Sequence, residues 1–135
     1  MFSMFKSILL LFFTILLFGC ISKKNIIQYK GIYQSSKIDE YYYYLRFYEN
    51  DSVSETSSTG KPRHLKKWFN KNKENISKGK YYFKNDSLFF ETKSDYGIIL
   101  YKGIFKNGKL LLKHDSRIND HKSLNVYTFK KINFK

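Results

Sequence analysis

The sequence predicts an all-β protein, an up-and-down antiparallel eight-stranded barrel with one short helix between strands 3 and 4. Three observations lead to this prediction. Apolar and polar residues alternate along short segments, turn residues separate these segments, and aromatic side chains make up 19% of the chain. Alternation with a period of two is typical of strands with one buried face. Closing the sheet into a barrel would remove its exposed edges.

Composition limits the alternatives. A chain of 135 residues allows one domain, and 42% apolar residues are enough to bury a core, which excludes simple disorder. The single cysteine, Cys20, excludes an internal disulfide framework and a cysteine-clustered zinc site. The chain is strongly basic, with 25 Lys and Arg against 11 Asp and Glu.

Eight strands are expected in residues 26–135. The signals Asn50-Asp51, Asn85-Asp86 and Asn107-Gly108 predict tight turns, and strands joined by such turns are antiparallel neighbours. The expected strands are 26–34, 40–48, 52–57, 78–84, 87–93, 97–106, 109–115 and 124–132.

One segment favours a short helix, over residues 64–71. Pro62 precedes it, and Leu65, Trp68 and Phe69 fall on one helical face. We expect this helix to cover one end of the barrel. The alternative is a surface turn that buries only Trp68.

Residues 1–20 differ from the rest of the chain. Lys6 precedes an apolar run over residues 8–18, which Gly19 and Cys20 follow. A basic start, an apolar stretch of roughly 7–15 residues and a small residue form the pattern of a secretory signal. The run is shorter than the roughly 20 residues that a membrane-spanning helix needs. The last four residues, Leu17-Phe18-Gly19-Cys20, resemble the lipobox of bacterial lipoproteins.

This resemblance implies a lipid anchor. Signal peptidase II would remove residues 1–19 as a lipoprotein signal peptide, and the Cys20 thiol would receive the lipid. Residues 20–25 would then form the lipidated cysteine and its tether, and two or three acyl chains anchor a protein stably. We expect attachment in the bacterial cell envelope, at the outer membrane facing the periplasm. An ordinary secretory signal is the alternative.

The expected domain, residues 26–135, is similar to the small lipocalin-like lipoproteins. It opens on Gly31-Ile32-Tyr33, and lysine-glycine steps recur at Lys78-Gly79-Lys80-Tyr81 and Lys102-Gly103-Ile104-Phe105. A glycine inside a strand often marks a bend at a barrel corner. The resemblance implies a non-catalytic, membrane-anchored protein that binds a small apolar or amphipathic ligand in its barrel.

The expected site lies inside this barrel. An eight-stranded interior is either filled by side chains or holds one small ligand. In a ligand carrier, inward aromatic residues surround open space, whereas in a filled barrel they meet in the middle. The residues expected to line a ligand are Tyr33, Tyr43, Phe47, Phe83, Phe90 and Tyr127.

The charge distribution supports a second hypothesis, a filled-barrel structural or interaction module. Residues 61–80 hold eight basic side chains and one acidic one. Lys66, Lys67 and Lys71 would form a basic surface that contacts an envelope protein or anionic lipid. The secretory signal argues against nucleic acid as a partner. A solvated lysine-rich loop is the remaining alternative.

No pattern predicts catalysis, a cofactor or a metal site. None of the three histidines, His64, His114 and His121, stands at metal-ligand spacing from another. His114-Asp115 and Asp120-His121 form the one cluster that an enzyme could use, and we expect a polar loop there instead. The chain is therefore not expected to be an enzyme.

Overall fold

The computed structural model describes residues 27–69 and 76–135, which form a closed barrel of eight antiparallel strands in sequence order. The closure joins β1 to β8, where Tyr33 lies opposite Phe129. This confirms the predicted fold class. A single turn of 3-10 helix, Pro62–Leu65, lies between β3 and β4. The strands are β1 (Gly31–Ser35), β2 (Tyr42–Phe47), β3 (Ser52–Ser58), β4 (Ser77–Lys84), β5 (Ser87–Ser94), β6 (Gly97–Lys106), β7 (Lys109–Ser116) and β8 (Lys122–Lys131).

Several parts of the sequence prediction lie outside the described residues. They are the signal peptide (1–19), the lipidated cysteine with its tether (20–25), and Lys71. Within residues 27–69 and 76–135, no helix is both long enough and apolar enough to cross a bilayer.

Tight turns connect the strands where the sequence predicts them. Asn85 and Asp86 join β4 to β5 with φ of 49° and 63°, and Asn107 and Gly108 join β6 to β7 with φ of 53° and 74°. Positive φ at both central residues defines the type I′ hairpin turn, whose twist matches that of the flanking strands. These short connections fix the up-and-down order of the sheet.

The main core fills the barrel interior. Cross-strand partners share a face of the sheet, so the register identifies the side chains that point inward. Those of the main core are buried, and they are Tyr33, Leu45, Phe47, Val53, Tyr81, Leu88, Phe90, Tyr101, Leu110, Leu112 and Tyr127.

Glycine occurs inside β4 and β1 where neighbouring strands approach closely. A Cβ on Gly79 would lie 1.5 Å from the carbonyl oxygen of Glu91, and a Cβ on Gly31 would lie 2.1 Å from that of Lys130. No side chain fits at either position. The recurring lysine-glycine steps of the sequence therefore mark close approaches between strands.

The segment after β3 differs from its prediction. Residues 62–69, here called the wall segment, contain one 3-10 turn and lie against the outside of the barrel, not over its end. Leu65 and Phe69 are buried against Ile32 and Tyr44, which point outward from β1 and β2. Trp68 is 51% exposed, so the alternative of a turn that buries only Trp68 is also wrong.

Long-range hydrogen bonds explain this placement. The Phe69 carbonyl oxygen accepts hydrogen bonds from Arg46 Nη1 at 2.8 Å and from the Tyr48 hydroxyl at 3.1 Å. Both donor side chains point outward, Arg46 from β2 and Tyr48 from just beyond it. Their hydrogen bonds hold the wall segment against the outside of the barrel. Periodicity within residues 64–71 carries no information about these partners.

Candidate functional site

The barrel interior divides into an apolar half and a polar half. The apolar half lies near the turns that join β2 to β3, β4 to β5 and β6 to β7. The polar half lies at the other end, where inward positions carry the side chains of Ser35, Glu55, Thr92, His114 and Asn125. Buried polar side chains need hydrogen-bond partners, so the polar half is where the interior could bond to the polar group of a ligand.

Aromatic rings fill the apolar half. The Phe47 ring lies 5.5 Å from that of Tyr33, 5.3 Å from that of Tyr81 and 5.6 Å from that of Phe90. Each of these pairs is edge-to-face, a favourable arrangement for aromatic side chains. The rings meet in the middle of the barrel, as expected for a filled interior.

Glu55 places a carboxyl group inside the polar half. It lies on β3 opposite the core residue Leu45, and its Oε2 accepts a 2.9 Å hydrogen bond from the Thr92 hydroxyl on β5. The intervening strand presents only Ser77 and Gly79 here, so the side chain can reach past it. Burial raises the pKa of the Glu55 carboxyl, and the neighbouring hydroxyls of Tyr101 and Thr92 lower it in part.

The Tyr101 hydroxyl is buried beside Glu55. Among the described residues it has no hydrogen-bond partner. Burial raises the pKa of Tyr101 well above its ordinary value, and the charge of Glu55 adds to the effect. The interior therefore holds a hydroxyl group that can donate a hydrogen bond, next to a carboxyl group with one protein donor in place.

His114 closes the cluster on the opposite wall. Its Nε2 lies 3.0 Å from the Tyr127 hydroxyl and 3.4 Å from Asn125 Nδ2, and both neighbours can donate to it when it carries no proton. Its ring lies 4.6 Å from that of Tyr101. Burial, with a smaller contribution from the nearby charge of His121, lowers the pKa of His114 to about 4. The imidazole is therefore neutral at neutral pH.

These groups converge because the barrel is closed. Glu55, Thr92, Tyr101, His114 and Asn125 come from five different strands, β3, β5, β6, β7 and β8. Together they offer a carboxyl group, two hydroxyls, an imidazole and an amide beside aromatic rings. Such a lining can hydrogen-bond the polar group of a small ligand and pack against its apolar part.

The six predicted lining residues fall in different places. Tyr33, Phe47, Phe90 and Tyr127 are buried inside the barrel, and Tyr33 and Phe47 belong to the filled half. Tyr43 is partly buried at the polar end, where its ring lies 6.4 Å from that of His114. Phe83 is 48% exposed at the other end. Their role in binding a ligand stays a prediction.

The prediction missed the polar members of this site. It singles out neither Glu55 nor Thr92, and although its strand 109–115 includes His114, it expects a polar loop around this histidine, whose ring lies inside the barrel. One signal was available, because Val53 and Glu55 are two residues apart and so share a face of β3. Glu55 and Thr92 are 37 residues apart, so no local sequence pattern could indicate their contact.

The histidine cluster of the sequence does not converge. His114 points inward, whereas its neighbour Asp115 points outward. The Asp115 Oδ2 atom lies 3.6 Å from Arg117 Nη2 and 3.9 Å from Lys122 Nζ, so this carboxylate forms surface ion pairs. His121 is exposed in the turn before β8. Across the described ranges, no group of three His, Cys, Asp or Glu side chains is arranged to hold a metal ion.

Of the three lysines in the predicted basic surface, the structure describes Lys66 and Lys67. Lys66 and Lys67 are exposed on the wall segment, between the buried Leu65 and Phe69. The wall segment thus presents lysines outward while its apolar residues face the barrel.

Comparison with known proteins gives one structural likeness. No family model matches the chain, and no curated protein matches it. Among solved structures, the chain is similar to the fatty-acid-binding protein isolated from Manduca sexta, with 14% sequence identity and a TM-score of 0.40. The match covers 75% of this chain and 99% of that protein. At this identity and score the likeness assigns neither a ligand nor a function to the chain.

Proposed function

We propose that this protein is a non-catalytic binding barrel, anchored by a lipid in the bacterial cell envelope, that takes a small amphipathic ligand into the polar half of its interior. The observation that carries the proposal is the pair formed by Glu55 and Tyr101. Both side chains are buried, and the Tyr101 hydroxyl has no partner in the described residues. Leaving a buried polar group unpaired costs about 1–3 kcal/mol, which a ligand group bonded there would recover.

The chemistry of the pair indicates the class of ligand. The Glu55 carboxylate accepts hydrogen bonds, and the Tyr101 hydroxyl donates or accepts one. A hydroxyl, amide or amine group of the ligand satisfies both. The apolar part of the ligand would pack against the rings of Phe90, Tyr101 and Tyr127 at the border of the filled half.

Native mass spectrometry of the full chain tests this site. The protein is extracted in mild detergent from the bacterium that makes it, and an adduct of constant mass, released on denaturation, is expected. Tyr101→Phe removes the hydroxyl and keeps the ring, so the adduct should be lost or reduced. Tyr96→Phe is the matched control, because Tyr96 is 86% exposed. A bare wild-type mass, or equal occupancy in Tyr101→Phe, would contradict the proposal.

The lipid anchor has a separate test. Leu17-Phe18-Gly19-Cys20 supports acylation at Cys20. Cells that express the full chain and are fed labelled palmitate should label the wild-type protein and a Ser22→Ala control. The Cys20→Ser variant should stay unlabelled and keep its signal peptide. Labelling that persists in Cys20→Ser would overturn the anchor, whatever the outcome of the ligand experiment.

A second candidate function, an interaction module, is favoured by the filled apolar half. Here the barrel is a scaffold, and Lys66 and Lys67 of the wall segment contact an envelope protein or anionic lipid. A photo-crosslinking amino acid at position 67 should then capture a defined partner in living cells. The same amino acid at position 84, in the exposed end of β4, should not. Equal capture at both positions would argue against a specific surface.

A further inference from the structure

The outside of the barrel carries a groove over the strands whose inward side chains Phe90, Tyr101 and His114 belong to the ligand site. The groove has a volume of about 700 Å³ and runs across β4 to β8. Consecutive cross-strand partners form one outward row through it, Tyr82, Phe89, Lys102, Lys113 and Leu124. At about 4.8 Å per strand, the row extends roughly 20 Å around the barrel. We call this surface the outer groove.

Exposed apolar side chains line the outer groove. Tyr82 is 58% exposed and Leu124 is 60% exposed. The ring of Phe89 stacks on that of Tyr82, with centroids 5.4 Å apart. The next outward positions along β6 and β8, Ile104 and Val126, are exposed as well. A patch of this kind marks an interaction site more often than a scattered apolar residue does.

The other side of the barrel shows how this fold covers an apolar outer face. Ile32 and Tyr44 point outward from β1 and β2, yet both are 0% exposed. They are covered by Leu65 and Phe69 of the wall segment, with Ile132 and Phe134 beyond β8 packed against the same cluster. In an eight-stranded barrel, β1 and β2 lie across from β5 and β6. The described residues therefore cover one outer face with their own chain and leave the groove face open to a partner.

Charge indicates what that partner is. Four lysines line the outer groove, Lys80, Lys102, Lys113 and Lys122, against two carboxylates. One of these, Asp115, already lies 3.6 Å from Arg117 and 3.9 Å from Lys122. The surface thus combines cations with exposed tyrosine and aliphatic side chains. Lysines are attracted to anionic lipids, and tyrosine is enriched at the membrane interface, so this combination fits the surface of an anionic bilayer.

We propose that the outer groove is the face that the barrel lays on an anionic lipid bilayer. The lysines contact the lipid phosphates, while Tyr82, Phe89 and Leu124 enter the headgroup region. The ammonium of Lys102, 5.3 Å from the Phe89 ring centroid, lies where the charged and apolar contacts meet. This assigns lipid contact to the face across from Lys66 and Lys67, and it holds whether or not the interior binds a ligand.

The test measures the depth of each face in the membrane. Full-length protein is reconstituted into phosphatidylcholine vesicles with or without phosphatidylglycerol, the lipids carrying bromine near the headgroup end of the acyl chains. A tryptophan is introduced by Tyr82→Trp in a Trp68→Phe background, and unmodified Trp68 reports on the opposite face. In anionic vesicles, bromine should quench the fluorescence of the tryptophan at position 82 and leave the fluorescence of Trp68 unchanged. Leu124→Trp, at the far end of the row, provides a second reporter.

Charge reversal gives the matched comparison. Lys102→Glu with Lys113→Glu should abolish quenching at position 82, and added salt should weaken it because salt screens exposed charges. Lys66→Glu with Lys67→Glu should leave it intact. Quenching of Trp68 in place of position 82, or loss of quenching only in the Lys66 and Lys67 pair, would overturn the proposal. An absence of quenching at position 82 would also overturn the proposal, and this includes the case in which a second copy of the chain shields that position.

Discussion

His114 links the interior of the barrel to pH. Burial holds its pKa at about 4, whereas the ordinary value is 6.5. Between these two pH values the unfolded chain binds a proton that the folded chain does not, so the free energy of unfolding falls as the pH drops from 6.5 to 4. At about 1.4 kcal/mol per pKa unit, the full loss is roughly 3 kcal/mol.

We therefore predict that His114→Gln flattens this part of the stability profile. The amide retains a group that can bond to the Tyr127 hydroxyl but removes the titration. Urea unfolding at pH 7 and pH 4.5, followed by circular dichroism, should show a smaller difference for the variant than for the wild type. His64→Gln is the control, since His64 is exposed on the wall segment. An equal difference in all three proteins would show that His114 does not titrate in the expected range.

Glu55 should have the opposite pH dependence. Burial raises the pKa of its carboxyl above the ordinary 4.5, so the folded chain retains a proton that the unfolded chain has lost. The free energy of unfolding then falls as the pH rises from 4.5 through the folded pKa. Glu55→Gln keeps an acceptor for Thr92 and should stabilise the protein more at pH 8 than at pH 5. Glu91→Gln, on the exposed outer face, should show no such difference between the two pH values.

For a single residue, alternation predicts the face of the sheet on which the side chain lies more readily than the side chains that it contacts. Alternation places Glu55 beside Val53 and His114 beside Leu112, so both could be assigned to the interior. It could not reveal that the pKa of His114 is low, or that the Tyr101 hydroxyl makes no hydrogen bond within residues 27–69 and 76–135. Those properties depend on burial and on contacts between β3, β5 and β6, which are distant in the chain.

Among the elements, the wall segment shows the limit of a local pattern. Pro62 and the apolar spacing of Leu65, Trp68 and Phe69 predict a helix over 64–71. The structure has a 3-10 turn that ends at Leu65, followed by a turn whose Phe69 carbonyl bonds to Arg46 and Tyr48. The side chains that the pattern selects, Leu65 and Phe69, are buried as a helical face would be. Their burial partner is the barrel wall.

We predict that the wall segment contributes to stability through Phe69. This side chain is 1% exposed against Ile32 and Tyr44, and truncating a buried phenylalanine costs roughly 3–5 kcal/mol. Phe69→Ala should lower the free energy of unfolding by about that amount, measured by urea unfolding followed by circular dichroism. Trp68→Ala, at a neighbouring and half-exposed position, should cost far less. A small loss for Phe69→Ala would mean that the segment covers the wall without stabilising it.

For the whole molecule, the order of the strands was accessible from the sequence because the signals for it are local. Hairpin turns such as Asn107-Gly108 specify antiparallel neighbours one pair at a time. The closure between β1 and β8 has no such signal, since these strands are about ninety residues apart in the chain. It was inferred from the number of strands and from the cost of leaving two edges open.

The closure of the barrel leads us to predict that the eight strands unfold together. Thr128 lies within β8, opposite Gln34 on β1 and Lys109 on β7, so β8 has no free edge at this point. Proline there removes a ladder hydrogen bond and leaves a carbonyl unpaired, at a cost of roughly 1–3 kcal/mol before any steric clash. Because all eight strands form one ring, we expect Thr128→Pro to lower the melting temperature of the entire barrel in a single transition, measured by circular dichroism. Asn133→Pro, beyond the end of β8 and exposed, should melt like the wild type. A Thr128→Pro protein that keeps the wild-type melting temperature would show that the ring does not depend on its closing strand.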